Sequence, residues 1–252
     1  MKIAVLTTDT YHHRWYVDQL RKTVENLVCV VETKIHQPSF KCEHPFEKQR
    51  DVYECDYFFS GHPKLIHELC NTKTVDSIND TTTLDFLEKV KPEIIIVFGT
   101  GKIKADLLKK YSGRMINLHG GDPEYYRGLD SHLWSIYNNE WDALVTTLHL
   151  LNATLDDGDI IQKHQLDLNR IVDLHQLRTS NTEACLQLTL SALTTYQRSG
   201  YFVSSKQRSV GRYYSFMPAE LKEICFKKFQ KHVQKLSALN ELHAESKVEA
   251  VV

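Results

Sequence analysis

Short apolar runs alternate with helical periodicity at the start of this chain. Residues 2–8 form a β-branched run and residues 27–31 form a second apolar run. Between them, residues 14–25 carry apolar side chains at the spacing of one helix face. This strand–helix–strand order predicts a βαβ unit and hence a parallel sheet. The first turn lacks the GxGxxG pattern of dinucleotide sites, which argues against a nicotinamide cofactor.

The next segment is polar before the apolar pattern returns. Residues 34–60 are polar, aromatic and irregular, and we interpret them as a long insertion. Helical patterns follow at residues 63–70 and 81–90. Residues 92–98 are continuously apolar, which predicts a central strand buried on both faces. The run ends in Gly99-Thr100-Gly101, and glycines at this sheet edge let the backbone approach a ligand closely.

The second half of the chain continues the alternation and then changes character. We predict helices at residues 104–110, 129–138 and 171–198, and strands at 115–118, 144–151 and 160–168. From residue 201 the pattern predicts an extension, with an aromatic stretch, a basic helix ending near Leu236 and a solvated or frayed tail. The predicted fold class is α/β, with a mostly parallel sheet in the core and a small C-terminal α+β extension.

Composition limits the classes of partner. The 252 residues are 42% hydrophobic and 25% charged, with a formal net charge of −1. These proportions are typical of a soluble globular protein, and nothing in them favours a nucleic acid partner. The first residues turn polar too early for a signal peptide, and no apolar run approaches the roughly 18 residues of a membrane span. We therefore expect a cytoplasmic protein with no membrane partner.

The six cysteines are scattered without a CxxC pair. In a cytoplasmic chain of this length they are expected to be reduced thiols. Cys42, His44 and Cys55 could be considered as zinc ligands, but their spacing fits no common zinc motif. We expect no metal.

Candidate chemistry lies in two motifs, Met115–Gly121 and Leu155–Asp159. Asn117 and His119 are two apart on a predicted strand, so their side chains point to the same face. Asp156 follows the next apolar run and is expected in a loop. An amide, an imidazole and a carboxylate are the groups that transfer of a one-carbon acyl group to an amine requires.

Each group has a physical role in such a transfer. Asn117 can donate a hydrogen bond to the oxyanion of a tetrahedral intermediate, worth on the order of 3 kcal/mol in comparable sites. His119 can accept the proton of the attacking amine. Asp156 can hold the imidazole or a water and assist proton delivery to the departing nitrogen. Asp157 remains an alternative to Asp156, because the spacing is one residue longer than expected.

Three motifs in one order resemble the formyltransferase superfamily, namely Asn117-Leu118-His119, Tyr126-Arg127-Gly128 and Leu155-Asp156-Asp157-Gly158. The resemblance covers roughly residues 1–170. It implies a Rossmann-like core, which we place at residues 1–200 with residues 34–60 as an insertion, and N10-formyltetrahydrofolate as co-substrate. The extension, residues 201–252, is then expected to be a dimerisation element of a homodimer.

The loop after His119 indicates a branch of the superfamily. Formyltransferases acting on initiator tRNA or glycinamide ribonucleotide carry His-Pro-Ser-Leu-Leu-Pro, whereas this chain has a Gly-Gly-Asp-Pro-Glu loop. That loop is similar to sugar N-formyltransferases, which formylate nucleotide-linked amino-dideoxysugars for bacterial O-antigen and lipopolysaccharide synthesis. The chain also ends without room for the C-terminal barrel of the tRNA enzymes. The implied partner is a dTDP-linked amino sugar, with dTDP-4-amino-4,6-dideoxyglucose as first choice.

The resemblance also implies where the folate binds. Relatives hold the pterin with backbone atoms of the turn after the central strand, and a second loop forms the opposite wall. The residues expected to contact folate are Phe98, Gly99, Thr100, Gly101, Lys102, Leu151, Asn152 and Leu155. A strand-to-helix turn without a ligand is the alternative for the first segment.

Candidate substrate contacts are more dispersed. Asp9, His13 and Arg14 follow the first strand, where glycinamide ribonucleotide enzymes hold phosphate, although a solvated helix start is the alternative. His149 either lines the pocket or is a structural strand histidine. Tyr213, with its aromatic neighbours Tyr214 and Phe216, either stacks on a nucleobase or packs in a core or interface.

The loop after His119 supplies the remaining candidates. Gly120, Asp122 and Glu124 are expected to contact the sugar or attract its amine. Arg127 either contacts the substrate or tethers its loop through backbone carbonyls. The rival functions are formylation of another amine, such as methionyl-tRNA or a ribonucleotide, hydrolysis of the folate, and non-catalytic binding of a nucleotide sugar or folate.

Overall fold

The computed structural model describes the backbone of residues 1–34 and 37–249, and the side chains of residues 1–34 and 37–240. A seven-stranded sheet runs in the order β3-β2-β1-β4-β5-β7-β8. Its strands are β1 (Lys2–Thr7), β2 (Asn26–Glu32), β3 (Asn71–Val75), β4 (Ile94–Phe98), β5 (Met115–His119), β7 (Val145–Leu150) and β8 (Ile160–Gln165). The strands from β3 to β5 in this order pair in parallel, β7 pairs antiparallel with both β5 and β8, and so β7 alone of the seven runs in the opposite direction, which confirms the mostly parallel α/β fold.

Helices cover both faces of the sheet. They are α1 (Tyr11–Arg21), α2 (Pro45–Phe59), α3 (Ile66–Leu69), α4 (Thr81–Val90), α5 (Ala105–Lys110), α6 (Ser131–Asn138), α7 (Leu177–Ser199) and α8 (Ala219–Glu249). Side chains alternate along β1, so Val5 packs with Leu20 of α1 and Leu188 of α7, whereas Leu6 packs with Leu87 of α4. Continuous apolar runs are therefore required in the central strands, as the sequence predicts.

The segment predicted to be irregular, residues 34–60, contains the fifteen-residue helix α2. Pro45 occupies the first turn, and a capping box closes the start: His44 Nδ1 accepts from the N–H of Phe46, and Glu47 accepts from the N–H of His44. The prediction was wrong because α2 has no clean apolar stripe. Its buried residues are Phe46 and the carboxylate Glu54, so hydrophobic periodicity cannot detect it.

Several element boundaries also differ from prediction. β3 was missed because it is a short outer strand of polar sequence, Asn-Thr-Lys-Thr-Val. The helix predicted from residue 171 begins at Leu177, after a short 3-10 turn at Leu174–Gln176. The last helix continues to Glu249 rather than ending near Leu236. The expected frayed tail falls on residues 241–252, whose side chains lie outside the described residues.

The C-terminal extension is built into the core. A short strand, β9 (Arg212–Tyr214), pairs in parallel with β6 (Tyr126–Gly128) next to the predicted site. Phe229 of α8 is fully buried in a cluster that includes Leu133 of α6 and Phe46 of α2. This cluster commits the apolar face of the first half of α8 to the chain's own interior.

Candidate active site

Two polar residues at the carboxyl end of β5 share one face of the strand. Asn117 and His119 are two positions apart, so their side chains leave the sheet on the same side. Asn117 pairs with Val97 of β4 and, across the antiparallel strand β7, with His149. His119 is buried and Asn117 is half-buried. Backbone pairing on both sides therefore fixes the position of this amide and this imidazole.

Asp156 reaches the same place from the loop between β7 and β8. Its φ of 50° lies in the left-handed region that side-chain-bearing residues rarely adopt. Its Oδ2 lies 3.7 Å from Nδ1 of His119 and accepts from the N–H of Gly128 at 2.8 Å. Its Oδ1 lies 3.5 Å from Nδ2 of Asn117. The three side chains predicted to be catalytic are thus brought together.

The Asp156 carboxylate is electrostatically supported. Burial alone would raise its pKa, but His119, His149 and the N–H of Gly128 more than offset this effect. The pKa of Asp156 therefore lies well below its usual value, and the group is ionised at neutral pH. A fixed negative charge stands beside the imidazole of His119.

Hydrogen bonds define the tautomer of His149 and the orientation of Asn117. Nδ1 of His149 lies 2.8 Å from the carbonyl oxygen of Leu150, so Nδ1 carries the proton and donates it. Nε2 of His149 is then an acceptor, and it lies 3.0 Å from Nδ2 of Asn117. The Asn117 amide must therefore present its NH₂ group to His149 and Asp156. His149 is in the site, in contact with a predicted catalytic residue.

His119 has the opposite tautomer. Its Nε2 lies 2.8 Å from the carbonyl oxygen of Tyr126, which can only accept, so Nε2 carries the proton. Nδ1 then holds the lone pair and faces Asp156. A proton taken up at Nδ1 would place an imidazolium between a carbonyl and a carboxylate. This arrangement suits a base that must be stabilised once it is charged.

The Tyr126-Arg127-Gly128 motif and the Leu155-Asp156-Asp157-Gly158 motif contact each other around Asp156. Gly128 holds the Asp156 carboxylate, whereas Arg127 forms an ion pair with Asp157 and donates to the carbonyl of Pro123 at 3.3 Å. Asp156, and not Asp157, therefore faces His119. Nε2 of Gln207 donates to the carbonyl oxygens of Asp156 and Gly158 at 2.8 and 2.9 Å, which clamps the loop from the C-terminal extension.

The turn after β4 is shaped by a histidine and a glutamate. Gly99 has a φ of +77°, and a β-carbon there would collide with Nε2 of His13. The ring of Phe98 lies edge-on to that of His13, with centroids 4.5 Å apart. The buried carboxylate of Glu32 accepts from the N–H of Gly101 at 2.7 Å and from that of Ile78 at 2.8 Å. The Gly101 amide is thus already engaged by protein.

The other residues predicted to contact folate lie on the edges of two loops. Thr100 and Lys102 follow Gly99, and the carbonyl of Lys102 accepts from Asn79 at 3.0 Å. Leu151 is half-buried and donates its N–H to the carbonyl of Met115 at 2.9 Å. Asn152 is exposed and Leu155 is half-buried. Gly99 and Lys102 are exposed as well, so each of the two segments reaches the surface of the protein.

The predicted contacts after β1 are already engaged within the protein. Arg14 donates to the Asp9 carboxylate at 2.7 Å and to the Asp9 carbonyl at 3.1 Å. Nδ1 of His13 lies 2.9 and 2.8 Å from the hydroxyls of Thr8 and Thr10. Burial, with a smaller effect of the Arg178 charge, lowers the pKa of His13 to about 3, so this ring is neutral at neutral pH. It offers a hydrogen bond rather than a positive charge.

The two carboxylates of the loop after His119 share one lysine. Nζ of Lys163 on β8 lies 2.6 Å from Oδ1 of Asp122 and 2.6 Å from Oε2 of Glu124. One positive charge does not balance two negative charges, and contact of these carboxylates with the sugar or its amine stays a prediction. Gly120, half-buried, lines a cavity that also reaches His119.

The aromatic residues of the extension divide into two groups. The ring of Tyr214 stacks between Tyr126 and Trp134, with centroids 5.2 and 5.0 Å away. Tyr213 is 61% exposed. Tyr214 is therefore a packing residue at the edge of the site, whereas Tyr213 is available to a ligand or partner.

Sequence reasoning missed three residues that support the site: Glu32, Lys163 and Gln207. Each acts across a long sequence separation, from the end of β2, the middle of β8 and the extension. A buried carboxylate at the end of an apolar strand was the one available signal, because Glu32 closes the run Val28-Cys29-Val30-Val31. The other two have no pattern around them.

Comparison with known proteins agrees with this geometry. Residues 1–193 match the family model described as formyl transferase, which is well over half of the chain. The protein therefore belongs to the formyl transferase family. It is 27% identical over 137 residues to methionyl-tRNA formyltransferase of Finegoldia magna, covering 54% of this chain and 43% of that protein. The chain spans less than half the length of the curated relatives it matches.

Solved structures share the fold at low sequence identity. An N-formyltransferase from Helicobacter canadensis, in complex with folinic acid and dTDP-3-aminofucose, superposes with a TM-score of 0.58 at 15% identity. The alignment covers 85% of this chain and 71% of that chain. WlaRD, a sugar 3N-formyltransferase solved with dTDP and 5-N-formyl-THF, gives 0.57 at 19% identity and covers 85% and 69%. These likenesses establish the Rossmann-like formyltransferase fold.

The described part of the chain lacks two features. Within the described residues no helix combines the length and the apolar character that crossing a membrane demands. The same part of the chain holds no group of three or more His, Cys, Asp or Glu side chains placed to bind a metal ion. All six cysteines are free thiols.

Proposed function

We propose that this protein transfers a formyl group from N10-formyltetrahydrofolate to the amine of a nucleotide-linked amino-dideoxysugar. The observation that carries the proposal is the convergence of Asn117, His119 and Asp156 at the carboxyl end of β5. Family membership and the folate compounds bound to the neighbouring structures support formyl transfer from a folate. The donor set fits, since it supplies one amide donor, one base and one fixed carboxylate.

The folate, when bound, supplies the activated formyl group, and the residues proposed to hold it are the turn after β4 and the loop 151–155. The chain's own groups perform the proton chemistry. Nδ1 of His119 accepts the proton that the acceptor amine must lose, and Asp156 stabilises the resulting positive charge. Asn117 donates from Nδ2 to the oxygen on which negative charge develops, exchanging one of its present hydrogen bonds for that contact.

A nucleotide-linked sugar is favoured as acceptor for two reasons. The loop after His119 resembles sugar enzymes, and two structural neighbours are described with dTDP or a dTDP-amino sugar. The first choice remains dTDP-4-amino-4,6-dideoxyglucose, for synthesis of O-antigen in bacterial lipopolysaccharide. Methionyl-tRNA is the second candidate, because the sequence relatives carry that activity in their names.

The direct test incubates the protein with N10-formyltetrahydrofolate and a set of dTDP- and UDP-amino sugars. We expect one sugar to gain the mass of one formyl group, with the His119→Asn variant as the matched inactive control. Uncharged and methionine-charged initiator tRNA are assayed beside the sugars. Formylated methionyl-tRNA with no modified sugar would overturn the sugar assignment while keeping formyl transfer.

We also propose a cytoplasmic homodimer. Reduced thiols fit a reducing compartment. Several large apolar residues of the extension are exposed, which is typical of a protein interface; among them are Tyr201, Val203, Val210 and Tyr213. Light scattering of the intact chain should give twice the monomer mass, and Val210→Ser with Tyr213→Ser should shift it towards monomer. A monomeric wild type would contradict the proposal.

A further inference from the structure

A cavity of about 240 Å³ opens directly on the catalytic histidine. His119, Gly120 and Gly128 form one of its walls, and α2, α6 and α7 provide the others. None of the residues predicted to contact folate lines it. His119 therefore borders a space that none of the predicted folate contacts lines, and an acceptor amine that entered this space would reach His119.

Two guanidinium groups line this cavity, those of Arg50 on α2 and Arg178 on α7. Their carboxylate partners Asp51, Glu54 and Glu47 are not among the lining residues. Arg50 and Arg178 therefore contribute to the cavity surface, whereas these ion-pair partners do not. Two cationic side chains in the lining favour a ligand with negative charge.

Arg178 is held rigidly in this position. Its Nε and Nη2 each lie 2.6 Å from an oxygen of Glu54, which is 0% exposed, and Nη2 lies 2.8 Å from Asp51. Within the described residues its Nη1 makes no hydrogen bond, so two N–H donors stay available. A planar group fixed along one edge is preorganised to bind an anion with the other.

The one carboxylate among the lining residues is Asp130, and it is also compensated. Nζ of the buried Lys222 lies 3.7 Å from its Oδ2, and the N–H of Met217 donates to the same oxygen at 2.8 Å. Burial raises the pKa of Asp130, with Lys222 and Met217 opposing that effect. Asp130 therefore does not cancel the charge of the two arginines.

The rest of the surface suits a ring with an apolar face. Phe46, Leu133, Leu174 and Leu177 line the cavity, so a hydrophobic floor faces the arginines. The surface thus combines an apolar floor and two cationic side chains beside one base.

We propose that Arg50 and Arg178 bind a phosphate of the acceptor and so determine which amines reach His119. The inference rests on the proposed function and names the recognition chemistry of that same site. The acceptor is then a small phosphorylated amine whose ring lies on the leucines, with its anionic group and its amine on different edges of the ring. Arg50 and Arg178 are specificity residues, and the reacting atoms belong to His119, Asn117 and Asp156.

The test compares Arg50→Gln and Arg178→Lys with Arg198→Gln, an exposed arginine near the far end of α7. With the dTDP-amino sugar, each cavity variant should raise KM by about 10- to 100-fold while kcat changes less than about threefold, as expected for loss of charge-assisted hydrogen bonds. Arg198→Gln should match wild type. Arg178→Lys keeps a charge next to Glu54, and circular dichroism confirms that each variant is folded.

A binding measurement separates this inference from the proposed function. Inorganic pyrophosphate is titrated into wild type and Arg50→Gln by calorimetry, without turnover. If pyrophosphate binds wild type and binds Arg50→Gln at least tenfold more weakly, the inference is supported. This holds even if no sugar is formylated, a result that would contradict only the assignment of a sugar as acceptor. Two results would overturn the inference. One is an active wild type whose KM is unchanged in both cavity variants. The other is pyrophosphate that binds wild type and Arg50→Gln equally, or binds neither.

Discussion

Asn117 and His149 face each other across the antiparallel strands β5 and β7, with Nδ2 of the amide 3.0 Å from Nε2 of the imidazole. Because Nδ1 of His149 is committed to the Leu150 carbonyl, this imidazole can only accept at Nε2. The register of two strands therefore decides which way the amide that we propose to be catalytic points.

Opposite tautomers of the two site histidines are the first expected outcome. In alkaline buffer, long-range ¹H–¹⁵N NMR should show His149 protonated on Nδ1 and His119 on Nε2, because their carbonyl partners Leu150 and Tyr126 accept from those atoms. Single His→Gln variants assign the signals. A His119 ring protonated on Nδ1 would contradict its proposed role as a base through that atom.

Loss of the base or its carboxylate should remove turnover. His119→Asn and Asp156→Asn are each expected to lower kcat by about 10²- to 10⁴-fold with nucleotide binding retained. Asp157→Asn is the matched control, since that carboxylate pairs with Arg127 rather than His119, and it should lower kcat less than tenfold. If Asp157→Asn were the more damaging of the two, the acid would have been assigned to the wrong neighbour.

The requirement for glycine at position 99 can be separated into backbone and packing effects. Gly99 and Gly200 have nearly equal φ values, +77° and +78°, but only Gly99 would place a β-carbon against another side chain, that of His13. Gly200→Ala should cost about 1–2 kcal/mol of unfolding free energy for left-handed backbone, and Gly99→Ala about 1–3 kcal/mol more.

Urea denaturation measures both variants, and adding His13→Ala to Gly99→Ala should recover the excess. Equal costs for the two glycines would show that His13 moves aside freely.

Removal of the extension should unfold the chain rather than only separate subunits. Phe229 is fully buried with Phe46 and Leu133, so Phe229→Ala should lower the unfolding free energy by about 3–5 kcal/mol. Gln230→Ala, exposed on the same helix, should change it by less than about 0.5 kcal/mol. A stable protein lacking residues 201–252 would contradict this packing. Dimerisation is therefore better tested on the intact chain.

Burial of His13 should make the fold sensitive to acid. Its pKa is about 3 in the folded chain and near 6.5 when unfolded, so between those pH values only the unfolded chain binds this proton. Stability therefore falls as pH drops below 6.5, with a slope approaching about 1.4 kcal/mol per pH unit from this residue. His13→Ala should show a shallower decline between pH 6.5 and 4, and parallel curves for the two proteins would exclude the effect.

Elements with strong apolar patterns were predictable. β4 is five buried residues in succession, and α4 begins and ends where its sequence predicts. The site residues on β5 were predictable too, because residues two apart on a strand share a face. Helix α2 was not, since the residue it buries most completely is the charged Glu54, whose partner Arg178 lies 124 positions away.

Contacts between residues far apart in the sequence also explain why some residues of the site were not predicted. Asp156, Asn117 and His119 belong to short motifs, so sequence alone located them. Lys163 pairs with Asp122 and Glu124, which lie 41 and 39 positions away, so no local pattern marks it. Arg50 pairs with its sequence neighbours Asp51 and Glu47, and only the folded chain shows that it lines the cavity beside His119. Arg14, predicted to meet substrate, forms an ion pair with Asp9, and its contact with substrate stays a prediction.

The contacts of Arg127 and Gly128 with Asp157 and Asp156 have an evolutionary consequence. The Gly128 amide binds Asp156 and Arg127 binds Asp157. A substitution in either motif would therefore displace the other. The two motifs are therefore expected to be retained together. A homologue that has lost one of them should accumulate substitutions in the other. Scanning genomes for the two together would therefore separate working members from relics more sharply than either alone.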